Sequence, residues 1–213
     1  MRPKLVNGEI YHICNKSIAN FGIFNNHNNA SRFLQTIDYY NKEQVWTSFS
    51  TVLKRKDGYQ YENIMHHRKD QLIKILSYCI MPDHYHLLFK IINEKPITKF
   101  INDIENSYTR YFNLRHNRKG PLWQSGYRAV AVTSNELLLH ISRYIHLNPT
   151  TSGLVGRPED WQYSSFKDIV SNQIIFDNLK EFSIKDQKKY KKFVNDNLDY
   201  QKNLKRIKKL LHD

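Results

Sequence analysis

The residues best suited to chemistry cluster in "MPDHYHLLFK", residues 81–90. His84 and His86 follow a Pro-Asp break and head an apolar run. On an extended strand alternate side chains share a face, so His84, His86 and Leu88 point one way and Tyr85, Leu87 and Phe89 the other. Two imidazoles side by side on one face can ligate one metal ion. In isolation, a His-x-His pair is more often just half-buried and hydrogen-bonded. A second group lies in "NELLLHISRYIHLNP" (135–149). Tyr144 and Asn148, four residues apart, stand on one helical face, with His140 a turn earlier and Leu137, Leu138, Ile141 and Ile145 packing beside them. Spacing alone does not carry this helix to the histidines. Tyr144 is one of 14 tyrosines and reads equally as an interfacial ring, and Asn148 before Pro149 reads equally as a helix end. Tyr108 and Tyr111 are rival hydroxyls, set on an apolar helical face.

The elements that must position these groups follow from periodicity. "EIYHICNKSI" (9–18) alternates and reads as a strand. Residues 28–55 carry Phe33, Leu34, Ile37 and Tyr40 at helical spacing, and 56–70 read as a polar loop. "QLIKILSYCI" (71–80) and "HYHLLFKII" (84–92), split by Pro82-Asp83, read as an antiparallel pair. Residues 96–117 open with Pro96 and place Ile97, Phe100, Ile101, Ile104, Tyr108, Tyr111 and Phe112 on one helical face. "RKGPLWQSG" (118–126) is a basic loop and "YRAVAVT" (127–133) a strand. Thr133 with Glu136 reads as a capping box for the helix at 135–149, and Pro149 as its stop. The order β-α-β-β-α-β-α predicts an α+β fold, an antiparallel sheet with helices packed on it. The expected division is a catalytic domain at 1–170 and a Lys-rich, helical C-terminal extension at 171–213.

The charge balance narrows the partners. The 213 residues hold 33 Lys and Arg against 20 Asp and Glu, a formal +13. So basic a domain most often meets a polyanion, nucleic acid above all, although a merely solvated basic surface has the same composition. No apolar run is long enough to span a membrane, and "MRPKLVNGEIYHI" lacks the apolar core of a signal peptide. Cys14 and Cys79 form no disulfide framework. A cytoplasmic, nucleoid-associated protein is the expectation.

"MPDHYHLLFK", then "SYTRYFNLRHNRKGPLWQSGYRAVAV", then "HISRYIHLNPTTSGLV" closely resemble the single-tyrosine HUH transposases, in particular the REP-associated tyrosine transposases and their insertion-sequence relatives. The resemblance runs from about Tyr11 to about Ser165 and leaves the tail uncovered. It implies an HUH, ferredoxin-like fold. By this resemblance His84 and His86 are metal ligands, Tyr144 in "RYIHLNP" is the nucleophile, and Asn148 is the third ligand to a Mg²⁺ or Mn²⁺ ion. Three departures stand out. Asp83 replaces a common Asn, Gly126 in "WQSG" sits where an Arg is frequent, and Lys16-Ser17 replaces an Arg-Gly.

The implied reaction is metal-dependent transesterification of DNA through a 5′-phosphotyrosine, without ATP, which fits the absence of a P-loop. A nearby metal and basic surroundings are expected to favour the Tyr144 phenolate. Arg143 and His146 are turned off its face and given no catalytic role. The expected substrate is an unpaired strand beside a DNA hairpin. Lys16, Arg115, Arg118, Lys119 and Arg128 would hold phosphates, and Trp123 and Tyr127 would offer stacking faces. Relatives include dimers that share an active site and forms acting as monomers, so a homodimer stays open. The alternatives are a hairpin-binding module that does not cleave, or a metallonuclease that activates water.

Overall fold

The computed structural model describes residues 3–55, 59–61 and 63–203. In chain order its elements are β1 (Ile10–Lys16), α1 (His27–Tyr40), α2 (Phe49–Val52), β2 (Ile73–Ile80), β3 (His84–Ile91), α3 (Ile97–Arg115), β4 (Arg128–Val132), α4 (Asn135–Thr151), α5 (Phe166–Ser171), α6 (Gln173–Asp177) and α7 (Gln187–Asn195). The strands form one antiparallel sheet in the order β2-β3-β1-β4. β3 is inserted between β1 and β2, and β1 between β3 and β4. The fold is therefore two interleaved split β-α-β units, the α+β arrangement expected from the pattern.

Strand alternation decides which helices meet which residues. The odd face of β3 enters the core under α1 and α3. Tyr85 packs on Phe33 with ring centroids 5.0 Å apart, and its hydroxyl donates to buried Glu105 at 2.7 Å. The even face, with His84 and His86, looks toward α4. In β1, Tyr11, Ile13 and Asn15 are buried while His12, Cys14 and Lys16 on the opposite face are only partly so. The outer edge of β2 is not left open: residues 163–165 bond along it through Ile80 N–Tyr163 O (2.9 Å) and Ser165 N–Tyr78 O (3.1 Å).

Three boundaries differ from expectation. The helix expected over 28–55 ends at Tyr40, and the next residue explains why. The Asn41 side chain bonds Leu72 N, Ile73 N and Ile73 O, clamping the helix end to the start of β2. The cap of α4 is Ser134, which accepts from Leu137 N, not Thr133. Pro149 does not stop α4. The helix runs to Thr151, its last carbonyls taken by the Thr150 and Thr151 hydroxyls and by Ser152 N, and it turns out at Gly153 with φ +73°. Pro149 removes a single helical N–H, the one that would face Ile145 O, and this close to the helix end the turn that follows still forms.

Residues 171–203 fold back onto the far side of α4. Phe176, Phe182, Tyr190 and Val194 are all buried in the same core. The Tyr190 hydroxyl lies 3.0 Å from Ser142 Oγ and 2.9 Å from His146 Nδ1. Residues 204–213, which include much of the basic tail, lie outside the described residues.

Candidate active site

A cleft of about 410 Å³ opens where β1, β3, β4 and α4 meet, lined by Cys14, Asn15, Lys16, His84, His86, Gln124, Ser125, Arg128 and Tyr144. Each element supplies its part through its period. β3 presents His84 and His86, with ring centroids 5.0 Å apart and nearly perpendicular. α4 presents Tyr144 and, one turn on, Asn148. The Tyr144 ring stands edge-on to His86 at 5.5 Å, and Asn148 Nδ2 is 2.9 Å from His86 Nε2. All four belong to one chain. The next residues on α4 turn elsewhere: His146 is fully buried between Ser165 and Tyr190, and Arg143 lies over Phe193.

Each histidine on β3 is held from behind. His84 Nδ1 is 2.6 Å from Asp83 Oδ1, and Asp83 also takes the Lys16 ammonium at 3.3 Å. Partial burial opposes the Asp83 charge, yet these two partners bring its carboxyl below the usual range. His86 Nδ1 is 3.0 Å from Nε2 of His12, which comes from β1. Burial holds His12 down to about 4, so at neutral pH it is uncharged. With Nδ1–H given to Asp83 in one case and to His12 in the other, each ring keeps its Nε2 lone pair for the cleft. These are the tautomers metal ligands need. In the geometry seen, Asn148 offers its NH₂ to that lone pair; half a turn of the amide would put Oδ1 there. Two imidazoles, one amide oxygen and open positions suit a six-coordinate Mn²⁺ or Mg²⁺ better than a closed tetrahedral ion.

Burial raises the Tyr144 phenol above its ordinary value, with the neighbouring Cys14 adding to the rise and a hydrogen bond from Asn148 opposing it. Among the protein groups alone, the surroundings of this phenol therefore favour its neutral form. Tyr108 and Tyr111 are spent elsewhere: the first is fully buried and donates to Ile23 O, and the second donates to Asn29.

The expected DNA-contacting residues divide. Lys16 and Arg128 line the cleft. Arg115 and Lys119 are exposed but outside it. Arg118 is folded onto its own loop, donating to Asn113 Oδ1 (2.8 Å) and Pro121 O (2.6 Å), so it braces the turn. The two aromatic rings do not offer the expected stacking faces. Tyr127 is only 3% exposed. Trp123 is turned inward against Phe24, Phe33, Tyr85 and Tyr108, and its Nε1 donates to Glu105 O and Thr109 Oγ1. An apolar ring beside a deep aromatic core gains more from burial than from waiting in solvent for a base. The loop instead zips along the end of β1 (Gln124 N–Lys16 O, 2.8 Å; Ile18 N–Leu122 O, 3.0 Å), which sets Gln124 and Ser125 on the cleft rim. His12, Cys14, Gln124 and Ser125 escaped the sequence reading. Alternation in "EIYHICNKSI" already puts His12, Cys14 and Lys16 on one face; that β1 lies beside β3 emerges only from the fold.

Residues 45–148 match the family model of IS200-like transposases. A REP-associated tyrosine transposase of Escherichia coli is 22% identical over 136 residues, 60% of this chain and 79% of its own length. A Haemophilus influenzae protein assigned to the same group is 28% identical over 109 residues, 46% of this chain. The match spans 62% of the length of that relative. Among solved structures, that of a REP-associated tyrosine transposase bound to a REP hairpin superposes with a TM-score of 0.55 at 15% identity, covering 81% of this chain and 85% of the other, a likeness of fold. With the sheet order, the paired histidines and the facing tyrosine, these matches support the single-tyrosine transposase family.

Proposed function

We propose that this protein cleaves and rejoins single-stranded DNA next to a hairpin, with Tyr144 as the nucleophile. The observation that carries this reading is the convergence, within one chain, of the Tyr144 ring on His86, 5.5 Å between centroids, in a cleft that also holds His84, Lys16 and Arg128. The Tyr144 oxygen bonds to the phosphorus of the scissile phosphodiester and the bond to the 3′-oxygen breaks. The products are a 5′-phosphotyrosine and a 3′-hydroxyl; the phenol proton is lost and the leaving oxygen gains one. The ester is exchanged, not hydrolysed, so a second 3′-end can reverse the step without ATP.

His84, His86 and, after amide rotation, Asn148 would hold a Mg²⁺ or Mn²⁺ ion. Bound there, such an ion would offset phosphate charge and support the phenolate. Lys16 and Arg128 flank the path of the strand and neutralise phosphates on either side of the cut. Residues 1–170 carry this chemistry, and the described residues beyond them, 171–203, buttress the back of α4. The hairpin assignment draws on the fold neighbour, which was solved bound to a REP hairpin; exposed Arg115 and Lys119 supply positive charge outside the cleft.

The test is incubation with Mn²⁺ and a hairpin-bearing single strand, read by gel shift and denaturing electrophoresis. Wild type is expected to form a covalent protein–DNA adduct. Tyr144→Phe should form none, and His84→Ala should lose cleavage by at least a hundredfold while binding the hairpin within about twofold of wild type. Cleavage that survives Tyr144→Phe without a linkage would instead indicate a metallonuclease activating water. Binding with no cleavage by wild type would indicate a binding module.

A further inference from the structure

His12 and Cys14 lie on the cleft face of β1, and Cys14 is the register partner of His86. Nitrogen atoms of the two histidines and the sulfur of Cys14 all fall within 4.8 Å of one another. His12 Nε2 and His86 Nδ1 are 3.0 Å apart. A tetrahedral Zn²⁺ with nitrogens at about 2.0–2.1 Å and sulfur at about 2.3 Å needs donor atoms about 3.3–3.7 Å apart, so closing on an ion takes shifts of about 1 Å or less. Cys14 is partly exposed and lines the cleft, which supplies an entry path.

We propose that His12, Cys14 and His86 form a soft-metal site, selective for Zn²⁺ over Mg²⁺, that switches off the neighbouring metal position in the cleft. Binding Zn²⁺ displaces the Cys14 thiol proton to solvent. The ion takes His86 Nδ1, so the single ring proton moves to Nε2. That nitrogen then has no lone pair for the cleft, and His86 can serve one ion at a time. A thiolate suits a borderline-soft ion and is a poor ligand for Mg²⁺, so the two positions sort metals by chemistry. The site stands on its own geometry; the switching rests on the proposed role of His86 as a ligand of the cleft metal.

The first arm of the test uses the full chain, without DNA, titrated with Co²⁺ and followed by absorbance. Thiolate ligation gives an intense near-ultraviolet charge-transfer band. Wild type is expected to develop that band with one equivalent of ion, lose it on adding Zn²⁺, and release about one proton per ion. Cys14→Ser should lose the band and His12→Asn should bind at least tenfold more weakly, whereas Cys79→Ser should keep it. The absence of a band in wild type, or its survival in Cys14→Ser, overturns the site. The second arm follows Mn²⁺ binding by the paramagnetic resonance of the free ion. One equivalent of Zn²⁺ is expected to weaken Mn²⁺ binding at least tenfold in wild type and less than twofold in Cys14→Ser. Equal Mn²⁺ binding with and without Zn²⁺ overturns the switch and leaves strand transfer untouched. Zinc-sensitive Mn²⁺ binding in a protein that never forms the DNA adduct overturns strand transfer and leaves the switch standing.

Discussion

The two β3 histidines are useful only because other residues hold them. Asp83 and His12 each stand at an Nδ1, and giving them the Nδ1–H leaves each Nε2 a lone pair. The Asp83 carboxylate is the firmer support, since it is charged and 2.6 Å from its ring. Asp83→Ala is therefore expected to weaken Mn²⁺ binding about tenfold to a hundredfold, with Asp83→Asn recovering part of the loss because an amide oxygen still accepts. Calorimetric titration with Mn²⁺ checks it. Equal affinities for wild type and Asp83→Ala would mean that the ring orients without help. Asn in place of Asp, common in relatives by the resemblance, satisfies the same hydrogen bond, so this departure preserves the geometry and adds charge.

α4 carries the functional residues on one face and is anchored through the other. Tyr144 and Asn148 meet the cleft, whereas Ser142 and His146 meet Tyr190 of α7. The segment beyond 170 thus bears directly on where Tyr144 stands. Tyr190 is fully buried and bonded to two α4 side chains. Tyr190→Phe should lower stability by about 1–2 kcal/mol, because His146 and Ser142 lose a buried partner. Tyr190→Ala should cost about 3–5 kcal/mol through the cavity it leaves. Urea unfolding reads both, and a change below about 0.5 kcal/mol for Tyr190→Ala would show that α7 does not brace α4. The Pro149 outcome belongs to this scale as well. Proline forbids a helix middle far more strongly than a last turn.

Across the whole molecule two solution properties follow from burial and charge. His146 is fully buried and its pKa is lowered to about 3. The unfolded chain can take that proton near the ordinary histidine value of 6.5 and the folded chain cannot. Stability should therefore be complete above the unfolded value and fall with pH below it. This one residue accounts for about 2 kcal/mol between about pH 7.5 and about pH 5. Urea midpoints at the two pH values measure the drop, which should shrink by about that amount in His146→Gln. An unchanged drop would mean that His146 takes up its proton in the folded state. Four of the cations named for phosphates remain unspent on loop structure: Lys16, Arg115, Lys119 and Arg128. At about −0.7 per neutralised phosphate on a single strand, they predict a roughly fifty-fold loss of affinity between about 50 and about 200 mM salt. Fluorescence anisotropy with a labelled hairpin measures this, and a flat response would rule out phosphate-led binding. Among the described residues no helix is long and apolar enough to cross a membrane.

Local periodicity determined the element order, the inward face of β3 and the helix that carries Tyr144 and Asn148, because those patterns depend only on which neighbours share a face. The resemblance then named the residues of the candidate site. Tertiary structure alone decided which strands lie side by side, and so placed His12 and Cys14 against His86. It also decided that Trp123 and Tyr127 complete the core, since burial of an aromatic ring is settled by the space around it, and that space is built by residues far away in the chain.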